Sequence, residues 1–168
     1  MSMPRDLRRI LIPLISVLVA AMVMACAPLR SASAAPGIAS PAPTGSGAAQ
    51  RPDATLSIVQ PPAGGTVPAG TVTVVVDYTG PALVAAAAAT ELNQYHLHYF
   101  LDVDPTVFVQ LSMPIPLGSP NIVHTAALQV NFDNVAPGTH QIAVVLTGSN
   151  HISVNPPVVA QQTSFTVI

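Results

Sequence analysis

The sequence predicts an all-β domain, an antiparallel β-sandwich of about seven strands, preceded by a signal peptide and a disordered linker. Three observations carry this. Beyond Ala54 the chain is rich in Val, Thr, Ile and Leu. Pro and Gly clusters break it at short intervals, and several of the runs between them alternate apolar with polar residues.

Residues 1–25 have the form of a lipoprotein-type signal peptide. An arginine-bearing start, MSMPRDLRR, leads into the 15-residue apolar run ILIPLISVLVAAMVM, which is short for a membrane span of about 20 residues. The run ends in VMAC, and Cys26 is the chain's single cysteine. Val23 and Ala25 resemble the lipobox of bacterial lipoproteins, which implies acylation of Cys26 and a membrane anchor. A lone cysteine has no disulfide partner, and acylation accounts for its presence. The alternative is secretion after cleavage following Ala34, since Ala32, Ser33 and Ala34 form an AxA site. Both readings place the mature protein outside the cytoplasm.

Residues 26–54 are almost entirely Ala, Pro, Ser, Gly and Thr and read as a tether, with too little large apolar surface to form a core. As a flexible coil its ends would lie roughly 30 Å apart. Residues 55–168 form the expected sandwich. Its strands are expected at TLSIVQ (55–60), TVTVVVDYT (71–79), YHLHYFLDV (95–103), TVFVQLSM (106–113), IVHTAALQVNF (122–132), THQIAVVLT (139–147) and TSFTVI (163–168). PPAGGTVPAG reads as a turn, and the alanine run in PALVAAAAATELN as a short helix.

Charge excludes one class of partner. All five basic residues are arginines, none lies beyond Arg51, and the later segment carries Asp77, Glu91, Asp102, Asp104 and Asp133. Nucleic acid, which needs a basic surface, is not expected.

SIVQPPAGGTVPAGTVTVVV, with Pro62, Gly65 and Gly70 at its turns, resembles the first hairpin of bacterial immunoglobulin-like domains, and VAPGTHQIAVVL resembles their sixth strand. More narrowly, the HLH strand, PGTH, NHISVNPPV and the closing FTV strand are similar to uncharacterised exported bacterial domain families. The matched positions are His96, His98, Asp102, Pro137, Gly138, His140, Asn150, His151, Pro156, Pro157 and Val158. The immunoglobulin-like cysteine pair and core tryptophan are absent. The resemblance implies a fold and export, and no reaction.

All five histidines lie in this segment. On the strand holding HLH, Tyr95, Leu97, Tyr99, Leu101 and Val103 form the core face. His96, His98, Phe100, Asp102 and Asp104 take the other face, where imidazole is expected to meet water. An immunoglobulin-like strand order starts the third and fifth strands and ends the sixth at one end of the sandwich. That order gathers His96, His98, His124 and His151, and sends His140 to the far end beside Asp102, Asp104 and Asp133. Two or three neutral imidazoles suit copper, zinc or nickel. His96, His98 and His151 are the expected ligands, with copper or zinc as the ion. His124 alternates with Ala126, Leu128, Val130 and Phe132 and reads as a boundary or core residue. His140 reads as structural, bonding a backbone group near a strand corner. The three aspartates could form a weak calcium site, although DVDP lacks the features of an EF-hand loop.

Ser153 and Ser164 have no GxSxG context, and GSG (45–47) sits in the tether and not at a strand-to-helix turn. Cu/Zn superoxide dismutases also carry HxH on a sandwich strand, but this chain lacks their disulfide and wider histidine set. No enzyme activity is therefore expected. The expected function is a lipid-anchored domain binding copper or zinc through surface histidines. The competing expectation is a metal-free structural or interaction module that contacts another envelope protein.

Overall fold

A computed structural model describes residues 47–168. The signal peptide, Cys26 and the tether through residue 46 lie outside the described residues. The chain forms β1 (Thr55–Gln60), β2 (Thr66–Val67), β3 (Gly70–Thr79), β4 (His96–Leu101), α1 (Thr106–Gln110), β5 (Ile122–Thr125), β6 (Gln129–Val135), β7 (Gly138–Thr147) and β8 (Val159–Val167). A three-stranded sheet, β1-β3-β6, faces a five-stranded one, β2-β8-β7-β4-β5. All pairings are antiparallel except β2 with β8. The expected β-sandwich is the observed architecture.

Alternation builds the space between the sheets. On β3, Val72, Val74 and Val76 are buried, and they meet Val130 and Phe132 of β6, Leu97, Tyr99 and Leu101 of β4, and Ile142, Val144 and Leu146 of β7. These side chains are stiff, β-branched or aromatic, and suit a pleated face.

The outer face of the five-stranded sheet departs from expectation. Every residue of β4 is buried, as are the last six of β7. The cause is a segment between β4 and β5 that folds back over the sheet. Its Ile115 joins Phe100, Ile122, Ala143 and Val145 in a second apolar cluster, with Val103, Phe108 and Val109 packed against it. Phe108 stacks on Phe100 with ring centroids 6.4 Å apart. The expected strand at 106–113 is instead the short helix α1. Pro105 precedes it, and the Asp104 carboxylate accepts the Thr106 N–H at 2.9 Å. An acidic acceptor and a proline at a helix start outweigh the strand propensity of Thr106, Val107 and Val109.

Further boundaries differ: β8 begins at Val159 and not at Thr163, and β2 lies inside the stretch expected as a turn. The expected strand 122–132 is two strands in different sheets, because the chain turns at Ala126–Leu128. The Thr125 hydroxyl accepts the Ala127 N–H at 3.1 Å, and the Ala127 carbonyl accepts the Tyr99 hydroxyl at 2.7 Å. The expected helix at 81–93 is only a 3-10 turn at Ala86–Ala88. The folded unit also begins before Thr55. Ala49 and Ala54 are core residues, and the Arg51 N–H donates to the Asn155 carbonyl at 3.0 Å. Residues 47–54, whose composition suggested tether, are therefore packed.

Candidate metal centre

His96 and His98 stand on β4 with side chains on the outer sheet face. His96 pairs with Thr147 of β7, and His98 lies between Val145 of β7 and His124 of β5. Both imidazoles are fully buried. The expectation that they face water is thus overturned, because the β4–β5 segment and the loop after β7 roof this face.

That loop supplies His151. Thr147 bridges to Ser153, and the Gly148 N–H donates to the Ile152 carbonyl at 3.0 Å. The His151 N–H donates to the Gly148 carbonyl at 3.0 Å, and the His151 carbonyl accepts the Ile115 N–H at 2.9 Å. His151 itself has φ 62°, in the left-handed region. That conformation is uncommon outside glycine, although histidine enters it more readily than most residues. It turns the ring back over the sheet.

The three ring nitrogens converge. His96 Nε2 lies 3.0 Å from His98 Nε2 and 3.2 Å from His151 Nδ1, and the last pair is 3.1 Å apart. No proton arrangement among the three rings alone satisfies this triangle. One N–H can be shared among its neighbours, but it leaves the other two lone pairs opposed, and a second N–H would point at the first. A cation accepts all three lone pairs at once. Among the described residues these three histidines are the group that could hold a metal ion.

Ligand spacing narrows the geometry. At a metal–nitrogen distance of about 2.0–2.1 Å, tetrahedral ligands stand about 3.3 Å apart, right-angled ones about 2.9 Å, and flat trigonal ones about 3.6 Å. Separations of 3.0–3.2 Å fall between the first two values. His96, His98 and His151 would supply three nitrogen donors to an ion, and three donors would leave a four-coordinate ion room for one more ligand.

The electrostatics favour neutral, ligating imidazoles. Burial pushes the His96 pKa down to about 4, and the neighbouring His151 and His124 lower it further by like-charge repulsion. Burial also lowers His98 to about 2, with His96, His151 and His124 adding to the effect. His151 is lowered by burial and then by His124. At neutral pH the trio keeps its lone pairs.

Two features temper the strength of the site. The Nδ1 atoms of His96 and His98 are buried without a hydrogen-bond partner. Ligating histidines usually donate from the second nitrogen to an acceptor, which raises their basicity, and that support is missing here. Thr147 Oγ1, also buried, lies 3.2 Å from His96 Nε2 and 3.3 Å from the His96 carbonyl. Its single proton can go to only one of them. Without a metal it can serve the ring, and were His96 Nε2 to ligate an ion it would be left to the carbonyl. Thr147 is not visible as a site residue in sequence, because only the β4–β7 register puts it opposite His96.

The other histidines divide. His124 is exposed, where a boundary or core residue was expected, and its ring lies 5.4 Å from that of His151 and 5.7 Å from that of His98. His140 is at the other end of β7. Its Nδ1 donates to the Asp102 carboxylate at 2.7 Å and its Nε2 to the Ala136 carbonyl at 2.9 Å, the structural backbone contact expected for it. Two acceptors favour the doubly protonated ring, and the His140 pKa is raised, chiefly by the Asp102 hydrogen bond.

The three aspartates do not converge on a calcium site. Asp102 holds His140 and the Gln141 N–H, Asp104 holds the Thr106 N–H, and Asp133 accepts from the Thr71 hydroxyl on the other sheet.

Comparison with known proteins finds no matching family model and no similar curated protein.

Proposed function

We propose that this protein is an exported, lipid-anchored carrier of a transition metal, copper or zinc, with His96, His98 and His151 as ligands and Cys26 as the anchor. One observation carries the metal reading: three imidazole nitrogens within 3.2 Å of one another, on two different segments, converging in a way that the three rings cannot satisfy by sharing protons among themselves. Neutral nitrogen donors suit either ion. The unpartnered Nδ1 atoms support reversible holding, as in storage or delivery, over a permanent structural site. The proposed role is binding without turnover.

Titration of the purified protein with Zn(II) and with copper, beside His96→Ala combined with His98→Ala, tests the reading. One ion per chain, lost in the double variant, is the expected result. Absence of stoichiometric uptake, or uptake unchanged in the variant, refutes it. Mass spectrometry of the mature N-terminus tests the anchor separately: an acylated Cys26 is expected, and an unmodified terminus at Ala35 would refute it.

A metal-free interaction module is the second reading. Exposed apolar side chains on the β4–β5 segment and its helix favour it, namely Val107, Leu111, Met113 and Leu117. Failure of the titration would leave that reading standing.

A further inference from the structure

We infer that His124 is a fourth ligand, which closes the centre by rotating its exposed ring onto the ion held by His96, His98 and His151. The inference rests on the metal reading above and adds a residue that the nitrogen triangle alone does not include.

Ring positions carry the argument. Four imidazoles on a tetrahedral ion stand about 5.2 Å apart between centroids, given about 2.0–2.1 Å to the nitrogen and about 1.1 Å more to the ring centre. The rings of His96, His98 and His151 have centroid distances of 5.0, 4.8 and 5.2 Å. His124 stands 6.3, 5.7 and 5.4 Å from the same three rings. It is therefore near all of them and not beside one corner, which places it over the triangle. Its excess over the tetrahedral spacing is only about 1 Å or less.

Movement of that size is available to this residue. His124 is exposed and lies on β5, a four-residue strand at the edge of the sheet. Exposed side chains change rotamer in picoseconds to nanoseconds, so the ring can swing without disturbing the strand. The trio, with His96 and His98 buried and His151 half-buried, holds an ion on one side and leaves its coordination incomplete. His124 is the exposed imidazole beside all three rings, with freedom to complete it.

Two consequences follow. A site with four neutral nitrogens keeps no position for water or an external anion, which fits a carrier better than a hydrolytic centre. His124 is also the ligand that meets solvent, so it binds last on uptake and leaves first on release.

The test uses Co(II) as a spectroscopic stand-in for zinc, with azide as an external ligand, in wild type, His124→Thr and His124→Gln. Wild-type visible bands are expected to ignore azide. Both variants are expected to bind one Co(II) at least about tenfold more weakly, since even loss of a supporting group costs 10–100-fold. Their bands should then shift on addition of azide. Wild-type bands that shift with azide, or variants with wild-type affinity, would overturn the fourth ligand. If overturned in that way, the three-histidine centre survives, provided wild type still takes up Co(II). No Co(II) uptake by wild type overturns both inferences. The wild-type azide response needs no variant, so a misfolded substitution does not leave the question open.

Discussion

His96 Nε2 and His98 Nε2 stand 3.0 Å apart on a single strand. Residues two apart on a strand are separated by about 6.5–7 Å at the backbone, so both rings must lean toward each other. Packing holds them there. Thr147 closes one side of His96, and Val145 and His124 flank His98 across the sheet. The fold thus sets opposed lone pairs close together before any ion arrives. On the metal reading, a bound ion would relieve this opposition and raise stability.

His98→Leu separates these two effects. The substitution fills the buried space with an apolar side chain and removes an imidazole whose Nδ1 has no partner. Removing an unsatisfied buried polar group is neutral or stabilising, so the metal-free variant should equal wild type or exceed it by about 1 kcal/mol in urea unfolding. Metal uptake should be lost. A variant clearly less stable than metal-free wild type would show that His98 contributes packing and not strain.

The metal-free protein should weaken as the solution is acidified. His96, His98 and His151 have folded pKa values below the ordinary 6.5, so their contribution is complete above that value and lost as pH falls toward about 4, the His96 value. His140 acts in the opposite sense. Its folded pKa is raised, so its contribution is complete below 6.5 and lost as pH rises through the higher value. Three depressed groups outweigh one half-buried, raised group. Thermal unfolding of chelator-treated protein between pH 4 and 8 should show stability rising with pH from 4 to about 6.5 in wild type and His140→Gln alike, with a decline above about 6.5 that His140→Gln lacks. A flat or falling profile over that interval would contradict the burial of the trio.

Strands are legible in the sequence where one face is wet. β1 and β3 fall within a residue of their expected limits because alternation marks them. β4 is legible as a strand, but its solvent exposure is not. Alternation says that His96, His98 and Phe100 share a face, and nothing local says that a distant segment covers it. The cover was hidden because TVFVQ reads as a strand by propensity while the preceding Asp104 and Pro105 start a helix. His124 shows the same limit. Its parity was carried through to Phe132, yet the chain changes sheets between the two. It reaches the cluster by another route, since β5 runs antiparallel to β4 and sets His124 directly opposite His98. The convergence of His96, His98 and His151 needed only the approximate strand order, which is why those three could be chosen from sequence.

The backbone of His151 offers a test of the loop. At φ 62° a β-branched side chain is disfavoured, whereas glycine and asparagine fit. His151→Val should destabilise the protein by about 1–3 kcal/mol, the usual range for strained backbone. His151→Gly and His151→Asn should preserve the fold. All three should lose most metal affinity, because each removes one nitrogen of the triangle. Equal stability of the valine and glycine variants in urea would mean that the loop does not hold the left-handed conformation.

Gly148→Ala should damage the centre without touching a ligand. A Cβ at this position would fall 2.7 Å from the Leu92 carbonyl oxygen and 2.8 Å from Ala49 Cβ. Neither atom is the end of a flexible side chain, so the loop itself must move. Gly148 also accepts the His151 N–H at 3.0 Å, and any displacement passes to the ring that completes the nitrogen triangle. Overpacking of this kind costs about 1–3 kcal/mol. Metal affinity should fall together with stability, while Pro62→Ala, in a turn on a different loop, should leave affinity unchanged. If Gly148→Ala lowers the unfolding temperature but binds metal as wild type does, the loop is not what positions His151.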